Sequence, residues 1–379
     1  MGEIYFDNSS TTMVCREAAS RIMDMLTNNY GNPSSLHTKG FKAEQTQNSA
    51  RNEISSFLNV YPEEIYFTSG GTESNNLAIF GAAHAMRKRG NHIVTTAIEH
   101  PSVLNVMKQL EKEGFIVTYL KPDSSGKIYP EQIFKAVNPR TILVSMMYVN
   151  NEVGSILPIE AVSSAISAAR SPALFHVDAV QAFGKLPINP KKLKIDLMSI
   201  SSHKIHGPKG VGALYIRKGV HIVPRTYGGG QEKDIRPGTE AVPMIVGFGA
   251  AVKALPSFDI ELKEMKKLNA YCRQKLGEIE DIKINSPEDA LPYIINFSAG
   301  DVRAETMLHF LSSKEIYVSS GSACSKGKAS YVLTSMGLTK QRIASSLRIS
   351  FSRFNNLEDV DVFIDTLKDG LIEITKRPI

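Results

Sequence analysis

The sequence predicts an α/β protein in which a large domain, with a mainly parallel sheet flanked by helices, is joined to a smaller α/β C-terminal domain. Two observations predict this fold class. Between residues 60 and 220, short apolar runs alternate with helical patterns, as in parallel strands joined by helical crossovers. The chain is also long, with 379 residues of which 42% are hydrophobic, so it can bury two cores that share an interface.

The apolar runs in this region are predicted strands because each is bounded by polar or turn-forming residues. They cover residues 64–68, 92–98, 115–120, 141–149, 173–177, 196–200 and 212–217. The patterns between most of them predict helices over 73–88, 102–113, 130–137 and 158–170. Near-continuous apolar strands indicate a sheet that is covered on both faces.

The C-terminal third predicts the second domain. It begins with a charged amphipathic helix over 257–281. Further strands are predicted over 293–299, 316–321 and 346–352, and further helices over 303–313 and 357–376. We expect a large domain over 15–255 and a small domain made of 1–14 and 256–379.

Composition excludes several classes of protein. The formal charge of +6 comes from Lys and Arg spread along the chain, so direct nucleic-acid binding is not expected. No apolar run reaches the ~20 residues of a membrane helix, and the N-terminus lacks a signal-peptide pattern. Cys15, Cys272 and Cys324 fit neither a disulfide framework nor a metal site. We therefore expect a cytoplasmic protein without a metal.

Polar or ionisable side chains follow five of the predicted strands. The segments are SGGTESNN (69–76), EHPS (99–102), NNEVG (150–154), DAVQ (178–181) and SSHK (201–204). In an open α/β sheet, ligands bind beyond the carboxyl ends of the strands, so these segments should converge. A composite cofactor or substrate site explains them better than five unrelated loops.

The segment SGGTES (69–74) lies between a predicted strand and a predicted helix. Glycine lets the backbone approach a ligand, and a helix N-terminus offers free N–H groups to an anion. The segment matches neither the GxxxxGK[ST] nor the GxGxxG pattern, so it is not an NTP P-loop or a Rossmann fingerprint. Taken alone, it is explained equally well as a glycine turn in which Thr72 or Ser74 caps the helix; its surroundings favour a phosphate site.

The strand-end residues match the needs of pyridoxal phosphate, which are a Schiff-base lysine, an acidic partner for the pyridinium nitrogen and a phosphate cradle. Lys204 can supply the amine and Asp178 the acid. His100 offers a flat ring that can stack on the cofactor and move protons. Ser201 and His203, with SGGT, can bind the phosphate. We expect burial and cations such as protonated His203 to lower the pKa of Lys204 from about 10.4.

Ten short motifs occur in order along the chain: DNSSTT (7–12), GNPSSLH (31–37), FTSGGTESNN (67–76), EHPSV (99–103), VNNEVG (149–154), HVDAVQAFGK (176–185), SSHKIHGPKGVG (201–212), GGGQEKDIRPGTE (228–240), SSGSACS (319–325) and LRISFSRF (347–354). With them the chain resembles the cysteine desulfurases of the IscS/NifS type, a class V group of fold-type-I pyridoxal-phosphate enzymes. The resemblance runs over nearly the whole chain and is very specific. It implies removal of sulfur from L-cysteine to give L-alanine.

The resemblance also implies a role for each cofactor-binding residue. Lys204 carries the cofactor as a Schiff base, and His100 stacks on the ring and transfers protons. Asp178 pairs with the ring nitrogen, and Gln181 binds the ring hydroxyl. The phosphate is held by Gly71, Thr72, Ser201 and His203.

Two further assignments come from the resemblance. Thr239 matches the residue that family members lend to the phosphate of the partner subunit, which implies a homodimer. Asn151 and Arg348 match the positions that hold the substrate carboxylate. Arginine suits that role because its planar fork binds a carboxylate through two hydrogen bonds.

Cys324 is the second chemical centre that the resemblance implies. The segment SSGSACSKGKAS (319–330) is rich in Gly, Ser and Lys, which predicts an exposed, mobile loop. Lys326 and Lys328 should lower the pKa of the Cys324 thiol from about 8.5. Cys324 would take the sulfur as a persulfide and pass it to an acceptor protein.

The acceptor and the exact activity have alternatives. The segment from Cys324 to SYVL (330–333) is a little shorter than in housekeeping members, and the chain stops at ITKRPI. A dedicated acceptor, for tRNA or thiamine thiolation, is therefore expected as much as the iron–sulfur scaffold. The alternative activities are a selenocysteine lyase or another class V, aminotransferase-like enzyme, and a non-catalytic sulfur-relay protein.

Overall fold

The computed structural model describes residues 2–320 and 329–375, in which strands and helices alternate. The strands are β1 (Ile4–Tyr5), β2 (Ile65–Thr68), β3 (His92–Thr96), β4 (Ile116–Leu120), β5 (Thr141–Met147), β6 (Leu174–Asp178), β7 (Leu197–Ser201), β8 (Gly212–Ile216), β9 (Ile282–Ile284), β10 (Ile294–Ala299), β11 (Ile316–Tyr317) and β12 (Ser346–Ser350). The helices are α1 (Arg16–Thr27), α2 (Thr38–Leu58), α3 (Gly71–Met86), α4 (Pro101–Lys112), α5 (Pro130–Ala136), α6 (Val162–Ala168), α7 (Pro190–Leu193), α8 (Val242–Lys253), α9 (Phe258–Gly277), α10 (Ala304–Ser312), α11 (Tyr331–Ser335), α12 (Lys340–Ala344) and α13 (Leu357–Thr375).

The main sheet has the strand order β2-β8-β7-β6-β5-β3-β4. Strands β3 to β7 pair in parallel, whereas β8 is antiparallel to both of its neighbours. Every residue of β3, β5 and β7 is buried, as expected for strands covered on both faces. The predicted α/β fold with a mainly parallel sheet is confirmed.

The carboxyl ends of the parallel strands meet at one edge of this sheet. β6 ends at Asp178 and β7 ends at Ser201. β3 is followed by a short turn to His100, which precedes α4, and β2 leads through a glycine turn into α3 at Gly71. The edge therefore carries the polar segments that the sequence analysis expected to converge.

A second, antiparallel sheet has the order β12-β10-β9. The N-terminal strand β1 pairs in parallel with β11, where Ile4 lies opposite Ile316, and Asp7 bridges to Ser350 of β12. The first residues of the chain thus pack against its C-terminal part. The domain boundaries given above stay a prediction.

Three long helices, α1, α2 and α8, are missing from the predicted pattern. Helix α8 is apolar on nearly all sides and packs against both α1 and α2. The approach to α2 is close, since a Cβ placed on Gly249 would lie 2.7 Å from Cα of Ala50. A helix without a polar face has no 3.6-residue alternation by which to recognise it.

The length and composition of the helices in residues 2–320 and 329–375 bear on whether one could cross a membrane. No single helix there is long and apolar enough. One bent pair, α8 with α9, meets the requirement of length and composition when the two are taken together, with 81° between them.

Candidate active site

A cavity of about 550 Å³ lies at the carboxyl ends of the parallel strands. Ten of the twelve predicted site residues line it: Gly71, Thr72, His100, Asn151, Asp178, Gln181, Ser201, His203, Lys204 and Arg348. Most of them come from loops of the main sheet, whereas Arg348 comes from β12 of the second sheet. The cavity therefore forms where loops of the main sheet lie next to β12 of the second sheet.

One corner of the cavity is formed by the start of α3 and the end of β7. Gly70 has a φ of 149°, and a Cβ on Gly71 would lie 2.7 Å from Cγ2 of Val180 and 3.8 Å from Cβ of Ser201. The Ser201 hydroxyl is buried and has no hydrogen-bond partner within the described part of the chain. Since a helix N-terminus adds free N–H groups, this corner suits a phosphate.

His203 lies beside this corner, with Nδ1 at 3.2 Å from Oγ1 of Thr11. Burial lowers the pKa of His203 to about 3, and three nearby positive charges act in the same direction: Lys204, Lys209 and Lys185. His203 is therefore neutral at pH 7. The expectation that a protonated His203 lowers the pKa of Lys204 is wrong, because desolvation penalises the imidazolium.

Lys204 ends a short 3₁₀ turn, Ser202–Lys204, directly after β7. Its Nζ donates hydrogen bonds to the carbonyl oxygens of Ser9 and Ser10, at 2.5 Å and 2.7 Å. The turn is tied to the same N-terminal segment, since the backbone N–H of Thr12 donates to the carbonyl of His203 at 3.0 Å. The backbone of residues 9–12 thus positions the amine at the cavity.

Asp178 is buried, and both of its carboxylate oxygens accept hydrogen bonds. Oδ1 accepts from the backbone N–H of Val180 at 3.0 Å, and Oδ2 accepts from Nδ2 of Asn75 at 2.7 Å. These bonds fix the orientation of the carboxylate. Asn75 lines the cavity but was not among the predicted site residues. Its spacing of four residues after Gly71 places both on one face of α3, which is the signal that could have identified it.

His100 is the N-cap of α4. Its Nδ1 accepts from the backbone N–H of Ser102 at 3.1 Å and lies 2.7 Å from Oγ of Ser102. Burial lowers the pKa of His100, although the Asp178 carboxylate opposes this shift. A neutral ring keeps the Nδ1 lone pair that the Ser102 bond needs. Nε2 is then the ring nitrogen that can contact a bound molecule.

Arg348 is almost completely buried in β12. Its Nη1 donates to the carbonyl of Asn151 at 2.8 Å, and its Nη2 donates to Oδ1 of Asp7 at 2.8 Å and to Oγ of Ser10 at 2.7 Å. The predicted substrate residues Asn151 and Arg348 are therefore in direct contact. Asp7, from the DNSSTT motif, is a partner of Arg348 that the sequence analysis did not identify.

Glu152 is a buried carboxyl on the cavity wall that was not predicted. Its Oε2 accepts from Oγ of Ser330 at 2.5 Å, and burial raises the pKa of Glu152 to about 7. The neighbouring Tyr331 donates its hydroxyl to the carbonyl of Glu99 at 2.6 Å. These two bonds hold the chain to the cavity wall just after residue 329. In the sequence, Glu152 is one residue of the segment NNEVG (150–154), and nothing local marks it as buried.

Of the two remaining predicted site residues, the structure describes only Thr239. Thr239 is exposed and stands apart from the cavity wall of its own chain. Cys324 lies outside the residues that the structure describes. Within those residues, no group of three His, Cys, Asp or Glu side chains is arranged to hold a metal ion.

The cavity fits pyridoxal phosphate on the chemistry of its own groups. The Lys204 amine and the Asp178 carboxylate both line it, and the Ser201 hydroxyl, which no described residue bonds, lies in its glycine-lined corner. These groups meet the three needs of the cofactor, a Schiff-base amine, an acid for the ring nitrogen and a phosphate site.

Comparisons with known proteins agree with this chemistry. The family model described as "Aminotransferase class-V" matches residues 4–363. "Cysteine desulfurase IscS" of Methanosarcina thermophila is 42% identical over 370 residues, which cover 97% of this chain and 91% of that protein. A solved "NifS-like protein" has a TM-score of 0.93 at 39% identity and covers 98% of this chain and 100% of its own. A structure described as "SspA in complex with cysteine" has a TM-score of 0.82 at 36% identity, covering 92% and 98%.

Proposed function

This chain belongs to the class-V aminotransferase family and is an L-cysteine desulfurase that uses pyridoxal phosphate, and on this premise we propose how its residues share the reaction. The observation that supports the proposal is one cavity lined by Lys204, Asp178, Ser201 and Arg348. An amine, a carboxylate, a phosphate corner and a carboxylate-binding cation are what this cofactor and an amino-acid substrate require.

The cofactor would be held at four points. Pyridoxal phosphate, when bound, supplies an electron sink for the carbanion at the substrate Cα. Lys204 would bind its aldehyde carbon, Asp178 its ring nitrogen and Gln181 its ring hydroxyl. The phosphate would be held by Gly71, Thr72, Ser201 and His203.

The substrate carboxylate would be bound by Arg348 and Asn151. The guanidinium of Arg348 is already oriented by its bond to the Asn151 carbonyl. Its Nη2 bonds to Asp7 and to the Ser10 hydroxyl are the contacts that an incoming carboxylate would replace or share. L-cysteine would thus be oriented with its thiol away from β12.

His100 would transfer protons between the substrate and the cavity wall. Burial lowers the pKa of His100 and so favours the neutral ring, and Ser102 fixes the ring through Nδ1. A neutral imidazole held in this way can both stack on a flat ring and exchange a proton at Nε2.

Cys324 would take the sulfur. Its thiolate attacks the thiol sulfur of the bound cysteine, so that an S–S bond forms and the C–S bond breaks. The electron pair of the C–S bond stays with the carbon fragment, which takes up a proton and leaves as L-alanine. Cys324 then carries the transferred sulfur as a persulfide.

The persulfide would pass to a sulfur-acceptor protein, for iron–sulfur cluster assembly or for tRNA or thiamine thiolation. The enzyme would act as a homodimer in which Thr239 reaches the phosphate of the partner subunit. The exposure of Thr239, outside the cavity of its own chain, supports that arrangement. The cytoplasmic location stays a prediction.

The test compares cysteine variants of the purified enzyme with L-cysteine and a thiol reductant. Wild type should be yellow and release L-alanine and sulfide in equal amounts. Cys324→Ala should stay yellow but lose almost all release of both products. Cys15→Ala is the matched control, because Cys15 is buried and burial raises the pKa of its thiol. It should react at the wild-type rate.

Two results would count against this function. Release of sulfide by Cys324→Ala at the wild-type rate would remove Cys324 from the reaction. A colourless wild type that takes up no pyridoxal phosphate would contradict the enzyme assignment as a whole. Lys204→Ala tests the attachment point, since it should lose the yellow Schiff-base absorption.

A further inference from the structure

Lys185 is a buried lysine for which the reaction described above has no use. It is 7% exposed, and burial lowers its pKa to about 8, so it is still mostly protonated at pH 7. Its Nζ donates to Oε1 of Gln181 at 3.3 Å and lies 5.5 Å from the ring centroid of Tyr293. The charge of Glu261, whose carboxyl is hydrogen-bonded to Tyr293, acts on Lys185 in the opposite direction to burial and raises its pKa. A buried lysine requires a reason, because desolvation of an ammonium group is costly.

The contacts of Gln181 with Lys185 and with the Ser9 carbonyl together determine which way the Gln181 amide points. A protonated lysine only donates hydrogen bonds, so it must face the amide oxygen of Gln181. The amide nitrogen then points to the opposite side, where it donates to the carbonyl oxygen of Ser9 at 2.9 Å. The same carbonyl accepts from Nζ of Lys204 at 2.5 Å. A continuous hydrogen-bonded chain therefore links Lys185 to Lys204 through Gln181 and Ser9.

The orientation of this amide is chemically important because Gln181 lines the cavity. The oxygen and nitrogen of a glutamine amide have nearly the same size, so packing alone does not choose between the two orientations. One orientation presents a donor to a bound molecule and the other presents an acceptor. Within the described part of the chain, Lys185 is the donor-only group that contacts this amide.

We propose that Lys185 is a positioning residue that holds Gln181 with its amide N–H toward the cavity, so that Gln181 donates to the ring hydroxyl oxygen of pyridoxal phosphate. The inference rests on the proposed function, in which Gln181 meets that oxygen. Without Lys185 the amide is held in this orientation only by its bond to the Ser9 carbonyl, and a rotated amide would present its oxygen, which would repel the oxygen on the ring.

The measurable consequence is the pKa of the Schiff base that Lys204 forms with the cofactor. A hydrogen bond donated to the ring oxygen reduces the negative charge there, and this weakens the attraction for the proton on the Schiff-base nitrogen. Loss of the bond should therefore raise the Schiff-base pKa by about one unit, which is a tenfold change in proton affinity. Visible absorption of the holoenzyme, recorded as a function of pH, measures this pKa.

The main variant is Lys185→Met, which keeps the length of the side chain but cannot donate. Loss of the lysine charge could raise the same pKa without any effect on Gln181, so a double-mutant cycle is needed. Gln181→Ala should raise the pKa by a similar amount. Lys185→Met in the Gln181→Ala background should then add nothing.

The matched control is Tyr293→Phe. It disturbs the same cluster by removing the hydroxyl that bonds to Glu261, but it keeps the bond from Lys185 to Gln181. Its Schiff-base pKa should equal that of wild type. If Lys185→Met does not fold, Lys185→Gln replaces it, and since its amide can donate or accept, it should raise the pKa by less than one unit.

Three outcomes would overturn the proposal. They are an unchanged pKa in the variants of Lys185, a shift of equal size when Lys185→Met is made in the Gln181→Ala background, and an equal shift in Tyr293→Phe. Each of these pKa values is measured in a variant that is yellow and still releases alanine. None of the three outcomes would therefore contradict the proposed function. A wild type that takes up no cofactor is the separate result that defeats the function itself.

Discussion

Glu99 offers a test of how strongly the interior of this protein shifts the ionisation of a carboxyl group. It is fully buried next to His100, and its oxygens accept from the backbone N–H of Met147, at 2.9 Å and 3.0 Å, and from Oγ1 of Thr96 at 2.8 Å. Burial raises the pKa of Glu99 from 4.5 to about 8, and the charge of Asp178 adds to the shift. Glu99→Gln replaces the protonated carboxyl with a neutral group of the same shape.

The sign and size of the effect follow from proton linkage. Between pH 4.5 and pH 8 the folded protein binds a proton at Glu99 that the unfolded chain has lost. The stability that this proton contributes is complete below pH 4.5 and is lost as the pH rises to 8. At about 1.4 kcal/mol per pH unit, an increase from pH 5 to pH 7 should destabilise wild type by about 2–3 kcal/mol more than Glu99→Gln.

Urea unfolding at pH 5, 6, 7 and 8 measures the free energy of unfolding of both proteins. The difference between the two removes the contributions of all other titrating groups. Glu63→Gln, which replaces an exposed carboxyl, controls for the loss of an acidic residue and should show no such trend. A difference between wild type and Glu99→Gln that is the same at pH 5 and pH 7 would refute the reasoning.

Two other substitutions test the substrate site and the core. Arg348→Lys should raise the KM for L-cysteine about tenfold or more, with a smaller fall in kcat, because lysine lacks the planar fork that binds a carboxylate; an unchanged KM in assays of alanine release would contradict this role. His176→Gln should reduce acid sensitivity, because burial lowers the pKa of His176 to about 3 and the unfolded chain alone takes up its proton as the pH falls below 6.5. From pH 7 to pH 5, wild type should lose about 2 kcal/mol more than the variant in urea unfolding, and equal losses would contradict the explanation.

The strands of the main sheet could be predicted from sequence because each is a short apolar run between turn signals. The runs over 64–68 and 196–200, for example, correspond to β2, which begins one residue later, and to β7, which is shifted by one residue. Helix α8 could not be recognised in the same way, since its apolar residues occur on all sides. What makes it a helix is its packing between other helices, and that information is not local.

Sequence could point to residues of the candidate site where residue type carries the chemistry. Asp178 stands at a strand end and Lys204 just after one, and an amine and a carboxylate that line one cavity are informative in any context. The supporting residues were missed because their function depends on contacts distant in sequence. Lys185 in AFGK has the pattern of a surface lysine, and only the fold shows that it is buried against Gln181. The role of Glu152 likewise depends on its hydrogen bond with Ser330, which lies far along the chain.

His203 shows how burial changes the electrostatic role of a residue that lines the cavity. A bound phosphate carries about −1.5 to −2 charges at pH 7, and a neutral His203 can offer it a directed N–H group but no charge. The balancing charge must come from other groups. The positive N-terminus of α3 contributes about +0.5, and Lys185, Lys204 and Lys209 lie close enough to lower the pKa of His203. Lys204 would be bonded to the cofactor aldehyde, so Lys185, Lys209 and the start of α3 are left to balance the charge, and the histidine supplies the direction of the bond.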